Sequence, residues 1–384
     1  MTILFEKRKM PIVSISANVK EGYAYESEKN KGISHFTEHL MFKGTKTRSY
    51  KEIAEEIEKK GGILNAYTDE EITSYWNKIP SKHFSSGIKI VSDLILNPRF
   101  DKIEFEKEKK VILEEIKMYR DNPQFYVLNK IKELLYKKPF GMPGTGTIES
   151  VSGLSRKELI EFHKKDYLTN KMFLCVVGNT DLEEIENFGK KFPMGKSREK
   201  EIKIRKINKK IIETRQGIDQ ANLVLGFHAC SLLDKKRYCY DILNAILAGG
   251  MSSRLFEEIR EKRGLAYAVR GMLEQSKNYG YYGIYVGTTK ENVKKCEELI
   301  LKEIRKIKSL KRKELEEARE QLIGLRKLES EESVSVMNGL IREEVVGNAE
   351  EYYNYEKRIM EVNLEDVRKL GRINNYSFIA LVPE

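Results

Sequence analysis

Cysteine, histidine, tryptophan and proline are all scarce in this chain of 384 residues, with four, five, one and eight copies. Cys175, Cys230, Cys239 and Cys296 show no C-x-x-C spacing and imply no disulfide framework, so a reducing compartment is expected. Cys175 lies in the apolar run Phe173–Val177 and reads as a core thiol. No stretch approaches the apolar length that crosses a bilayer. Met1–Pro11 is charged and lacks the apolar centre of a secretory leader. The expectation is a cytoplasmic protein with no membrane partner.

What is abundant is charge. Charged residues make up 34% and apolar residues 40%, with a net charge of +11. A basic balance raises the question of nucleic acid. However, the lysines alternate with glutamates along stretches such as Glu291–Lys308, which read as solvated helix faces. No RNP, helix-turn-helix or zinc-finger pattern appears, so nucleic acid is not expected as a partner. A positive surface instead suits acidic peptides. The length accommodates two domains, each able to bury its own core.

Periodicity places the elements. Ile12–Val19 alternates Val13, Ile15, Ala17 and Val19 with Ser14, Ser16 and Asn18, the pattern of a strand with one apolar face. Ser49 is a candidate N-cap for a helix over Tyr50–Lys60 that ends at Gly61. Extended segments follow at Ile63–Thr68 and Ile72–Ile79, then helices at about Ser81–Leu96, Lys102–Arg120 and Phe125–Tyr136, with Pro98 and Pro123 between them. Met172–Gly178 reads as a buried strand. Phe192–Lys206 is linker-like, and the pattern then restarts with strands at Gln220–His228, Tyr267–Leu273, Gly280–Thr288 and Tyr376–Val382. The expected fold is α+β: two similar tandem domains, each an antiparallel-rich mixed sheet flanked by helices. Boundaries are expected at residues 1–195, a linker at 196–206, and 207–384.

Chemistry concentrates in His35-Phe36-Thr37-Glu38-His39, within a predicted helix over Lys31–Lys43. Histidines four apart lie one turn from each other on one helix face, so both imidazoles can reach one metal ion. Glu38 lies on nearly the same face, within reach of a water on that metal. This is the H-x-x-E-H order of inverted zinc peptidases. A catalytic zinc takes three protein ligands and leaves a position open. His83, His163 and His228 have no partner-like context and read as surface or packing residues. The carboxylates of Glu106–Arg120 are better candidates: Glu108 and Glu115 are seven apart, two turns on one face. Spacing does not choose between them, nor does it exclude Glu114.

Five segments together resemble the pitrilysin-type zinc peptidases, the family of mitochondrial processing peptidase and insulin-degrading enzyme. They are GISHFTEHLMFKGT (Gly32–Thr45), GGILNAYTDEEITSYW (Gly61–Trp76), EKEKKVILEEIKMYRDNP (Glu106–Pro123), FHKKDYLTNKMFLCVVGNTD (Phe162–Asp181) and GGMSSRLFEEIREKRGLAYAV (Gly249–Val269). The resemblance spans essentially the whole chain. It implies a zinc endopeptidase, with one zinc ion per chain held by His35, His39 and Glu115 and with Glu108 behind the ligands. It implies Glu38 as general base, Tyr267 as donor to the oxyanion and Arg260 as a clamp on substrate carbonyl or carboxylate groups. It also implies that Asn65, Ala66 and Tyr67 form an edge strand to which a short or unfolded peptide adds. Relatives of this length pair two chains, which implies a homodimer or a heterodimer with a related subunit. Some relatives are non-catalytic structural or processing subunits, but such members typically lose ligands or the base, and this chain keeps both. The segment Lys20–Glu26 and the loop around Gly141–Gly146 depart from the family pattern.

Overall fold

The alternating strand Ile12–Val19 is buried on both faces. Val13, Ile15 and Val19 are 0% exposed, and so are Ser14, Ser16 and Asn18. The computed structural model describes residues 1–190, 192, 195 and 200–384, and the expected linker at 196–206 begins outside the described residues. The apolar row faces the helices Ile33–Met41, Tyr50–Glu58 and Phe84–Leu96, in a core with Phe36, Ile53, Ile88 and Leu94. The polar row lies under a helix from far along the chain, Ser333–Val345. There Ser14 Oγ meets Ser333 Oγ at 2.8 Å, and Val336, Met337, Leu340 and Ile341 pack with Phe173, Cys175 and Val177. Each large apolar side chain buried there contributes about 1.5–3 kcal/mol.

The sheet that contains this strand is formed by β1 (Thr2–Lys7), β2 (Ile12–Val19), β3 (Ile63–Thr68), β4 (Thr73–Pro80) and β5 (Met172–Gly178). Its order is β1-β5-β2-β4-β3. Only the β1–β5 pair is parallel. The second sheet contains β6 (Lys210–Arg215), β7 (Ala221–His228), β8 (Ala266–Gln275), β9 (Gly280–Thr288) and β10 (Ser377–Pro383). Its order, β6-β10-β7-β9-β8, and its single parallel pair, β6–β10, repeat the first sheet strand for strand. The expected α+β class with two similar mixed-sheet domains is therefore what the chain forms.

The compact units are not contiguous halves. The first contains residues 1–116, 142–202 and 329–352, and the second contains 117–141, 203–328 and 353–384. This differs from the contiguous expectation, 1–195 and 207–384, in two exchanged segments. Helix Ser333–Val345 covers the first sheet, and helix Pro123–Leu135 packs on β7 and β10 of the second. The physical reason is the second face of each sheet, which no helix of its own half covers. Pro123 starts that second helix instead of merely breaking the chain. It occupies the first turn, where a missing N–H costs nothing, and the side chain of Asn122 accepts from the amides of Gln124 and Phe125 at 3.0 and 3.1 Å.

The loop after helix Ile33–Met41 is anchored by one carboxylate. Asp93, on helix Phe84–Leu96, accepts from Thr45 and Thr47 hydroxyls (2.7 and 3.1 Å), Asn97 (2.9 Å) and the Arg48 guanidinium (2.7 Å). Burial pushes this carboxyl up, but the bonds from Thr45, Asn97, Arg48 and Thr47 outweigh it and hold the group below its ordinary range. Removing it should strand those donors, so Asp93→Ala is expected to cost about 2–4 kcal/mol in urea unfolding at neutral pH. A depressed folded value means the contribution is present above the unfolded value of about 4 and is lost as pH falls through the folded value. The difference between wild type and variant should therefore shrink on acidification; a gap that widens would contradict the assignment.

Candidate metal centre

The helix Ile33–Met41 begins where the chain needs a left-handed residue. Gly32 has φ of +94°, and a Cβ there would lie 2.7 Å from the Thr145 carbonyl. Its N-terminus is capped from outside by buried Glu26, whose carboxylate accepts from the amides of Gly32 (2.9 Å) and Ser34 (2.8 Å). Lys31, fully buried, sits 3.7 Å from Glu26 and donates to the Tyr23 carbonyl. Ile33, Phe36 and Leu40 turn inward, at 3%, 0% and 1% exposure. That leaves His35, Glu38 and His39 along the flank that faces the neighbouring helix.

That neighbour is Lys102–Asp121, and its buried stripe mixes two chemistries. Phe105 and Ile112 are 2% and 0% exposed; Glu108 and Glu115 occupy the same stripe at helical spacing. Phe36 stacks on Phe105, with ring centroids 5.0 Å apart, which docks the two helices. The acids then face the imidazoles. His35 Nε2 lies 3.7 Å from Glu115 Oε2, and His39 Nε2 lies 3.5 Å from the same oxygen. Ligand atoms of His35, His39 and Glu115 all lie within 4.8 Å of one another, the one such group among the described residues. Glu114, left open by spacing, is exposed, and Glu115 takes the inward place.

Whether these residues suit a zinc ion can be judged from their donors. Donor separations of 3.5 and 3.7 Å match a cation bound at about 2 Å to each atom. Glu115 Oε2 is buried with no hydrogen-bond partner among the described residues, an arrangement a bound cation would satisfy. Burial, followed by the charge of His39, pushes His35 down to about 3, so its imidazole is neutral and its lone pair is available. His39 Nδ1 lies 3.2 Å from Glu108 Oε2. A carboxylate only accepts, so Nδ1 carries the proton and Nε2 presents its lone pair. Lys43 Nζ holds the other Glu108 oxygen at 2.8 Å. Burial raises the Glu108 carboxyl, but the His39 and Lys43 contacts overcome it and hold the group below its ordinary range. The donor set fits zinc.

Glu38 lines a cavity of about 270 Å³ together with His39, Phe42, Lys43, Leu64, Asn65, Ala66 and Glu108. Burial raises its carboxyl, opposed by a 2.5 Å hydrogen bond donated by the Thr68 hydroxyl. Strand β3 is the sheet edge, bonded on one side only to β4. Its side chains alternate: Leu64 and Ala66 pack with the core under the metal helix, and Thr68 reaches Glu38. Tyr67 points to the opposite face, against the cluster of Phe173 and Met337, and Asn65 is exposed. Thr68 and Lys43 were not singled out from the sequence. Period two from Ala66 indicates the first; Lys43 stands in the turn just past the helix, which ends at Met41 and is shorter than the expected Lys31–Lys43. His163 and His228 are packing residues, bonded to the carbonyls of Ile95 (2.8 Å) and Ile207 (3.1 Å).

Arg260 and Tyr267 gather in the second unit. Arg260 lies in the π-helical turn Phe256–Glu261, and its Nη1 donates to the Tyr267 carbonyl at 2.9 Å. Tyr267 is the extra residue of a β-bulge, between the pairs Ala266–Thr288 and Ala268–Gly287, on edge strand β8. The bulge turns its side chain outward, at 62% exposure.

Comparison with known proteins shows the family. Residues 2–147 match the family profile described as Insulinase (Peptidase family M16), and residues 153–322 match the one described as Peptidase M16 inactive domain. An uncharacterized zinc protease of Rickettsia bellii is 35% identical over 315 residues, 81% of this chain and 76% of that protein. The chain belongs to peptidase family M16. It is of the short type: the uncharacterized zinc protease YmxG of Bacillus subtilis is 32% identical over 94% of this chain and 90% of its own length. Among solved structures, a protease from Helicobacter pylori superimposes with a TM-score of 0.91, covering 99% of this chain and 96% of that one at 20% identity. A putative M16-like peptidase from Alicyclobacillus acidocaldarius gives 0.87, covering 100% and 96% at 18% identity. These two likenesses concern the fold. The profile described as Peptidase M16 inactive domain takes in parts of both units, and among the described residues His35, His39 and Glu115 form the one group that could hold a metal. No helix among the described residues is long and apolar enough to cross a membrane.

Proposed function

We propose that this chain is a zinc-dependent endopeptidase that cleaves short or unfolded peptides. The observation that carries this is the convergence of His35, His39 and Glu115 within 4.8 Å, with Glu38 on the cavity that His39 also lines. Zinc, when held by those three residues, supplies Lewis acidity to the scissile carbonyl and makes water nucleophilic near neutral pH. Glu38 takes the proton from that water and returns it to the leaving nitrogen. Glu108 fixes the His39 tautomer and orients its ring. Arg260 and Tyr267, assigned through the family resemblance, act as substrate clamp and oxyanion donor. The exposed edge of β3 at Asn65, Ala66 and Tyr67 takes the peptide as an added strand through main-chain hydrogen bonds, a mode that reads backbone more than side chains. One zinc per chain, cytoplasmic residence and pairing with a second copy or a related subunit complete the reading.

The test is metal analysis combined with cleavage of a quenched peptide library. Zinc should be found near one ion per chain, chelation should abolish cleavage, and added zinc should restore it. Full cleavage by protein stripped of metal would overturn the proposal.

A further inference from the structure

We infer that Thr68 is a positioning residue for Glu38, setting which carboxylate oxygen receives the proton and linking the base to the strand that seats the peptide. The inference rests on the reading of Glu38 as general base. Thr68 is the last residue of β3, half-buried on the face that Leu64 and Ala66 direct toward the metal helix. Its hydroxyl donates to Glu38 Oε2 at 2.5 Å. Among the described residues, that is the one hydrogen bond the Glu38 side chain makes. A glutamate has three rotatable side-chain bonds, and a general base must lie within hydrogen-bond reach of the proton it takes. Holding Oε2 leaves Oε1 to receive the proton.

Thr68 can do this because its own place is fixed from three sides. It pairs with Thr73 of β4, whose hydroxyl donates to the Glu21 carbonyl at 2.9 Å. The turn that follows is closed by the bond from the Asp69 amide to the Ile72 carbonyl at 2.8 Å. That turn is stitched to the segment before the metal helix: the amides of Tyr23 and Ala24 donate to the carbonyls of Asp69 and Glu70 at 3.1 and 2.8 Å. A β-branched residue is stiff at χ1, so a fixed backbone fixes the hydroxyl. The same backbone forms the end of the open edge of β3. A peptide added there would thus be set in register with Glu38 by a single residue.

Thr68→Val keeps shape and strand preference but removes the hydroxyl, and Thr68→Ser keeps the hydroxyl. For Thr68→Val, zinc content should be unchanged, KM should stay within about threefold, and kcat should fall about 10–100-fold, the scale of a misplaced catalytic group. Thr68→Ser should recover to within about threefold of wild type. In a Glu38→Gln background, Thr68→Val should cost almost nothing more, because the two residues act as a unit. The inference is overturned if Thr68→Val keeps wild-type kcat, if kcat falls only in proportion to lost zinc, or if the loss is as large without Glu38. Failure of the parent reading looks different: Glu38→Gln itself would then still cleave peptide.

Discussion

Glu38→Gln is expected to keep zinc at wild-type content while kcat/KM for peptide cleavage falls about 10²–10⁴-fold, the range ascribed to a general acid–base residue. The two effects separate because the metal donors and the base are different side chains, two of the donors sharing the short helix with Glu38 and the third standing on the neighbouring helix. His35, His39 and Glu115 form the ligand group, and Glu38 is not part of it. The amide of Gln is nearly isosteric with the carboxylate and can still accept from Thr68, so the local packing survives. What it cannot do is carry the proton from water to the leaving amine. A thousandfold loss corresponds to about 4 kcal/mol of transition-state stabilisation. Parallel measurement of zinc content and kcat/KM decides the matter, and a variant that retains both zinc and turnover would remove Glu38 from the chemistry.

Glu115→Ala should show the opposite division: zinc is lost first, and activity goes with it. Replacing a residue that merely orients a ligand costs about 10–100-fold in metal affinity, so removing a ligand should exceed 100-fold. A general loss of structure is the competing explanation, and the site itself separates the two. In metal-free protein Glu115 Oε2 is buried without a hydrogen-bond partner among the described residues, a costly arrangement that alanine relieves. Under chelator, Glu115→Ala should therefore be at least as stable as wild type in urea. Glu114→Ala, one residue away on the exposed side of the same helix, should keep its zinc. Equal zinc loss in both variants would contradict the assignment of Glu115.

The local grammar of the metal helix was legible in the sequence. Two histidines and a glutamate in fixed order, a glycine before the helix and an apolar stripe specify the element and its polar flank. The strand Ile63–Thr68 was also legible to the residue. Two other features were legible only in part or not at all. The glutamates of Lys102–Asp121 sit in so charged a stretch that exposure is the natural reading; the informative signal is that Glu108 and Glu115 share a stripe with Phe105 and Ile112, which points acids inward. The row Ser14, Ser16, Asn18 reads as the solvent face of a two-sided strand, because hydroxyl and amide side chains are usually outside. Its cover, Ser333–Val345, lies in the stretch 328–375, to which periodicity assigned no element. Nothing local to either segment names the other as its partner. Side-chain identity sets what an element can do, while the partner of a buried polar row is fixed by tertiary closure.

The helix Ser333–Val345 also sets when the first unit can be finished. A ribosome adds about 5–20 residues per second, so after β5 emerges the first sheet waits roughly ten seconds or longer for its cover. During that interval Phe173, Cys175 and Val177 have no helix over them. The second sheet is completed later still, since β10, Ser377–Pro383, runs between β6 and β7. The first unit therefore cannot close before Val345 has been made, nor the second before Pro383. The nascent protein carries an open sheet face from Gly178 until the covering helix is made, and a chain released before Ser333 would leave both units incomplete.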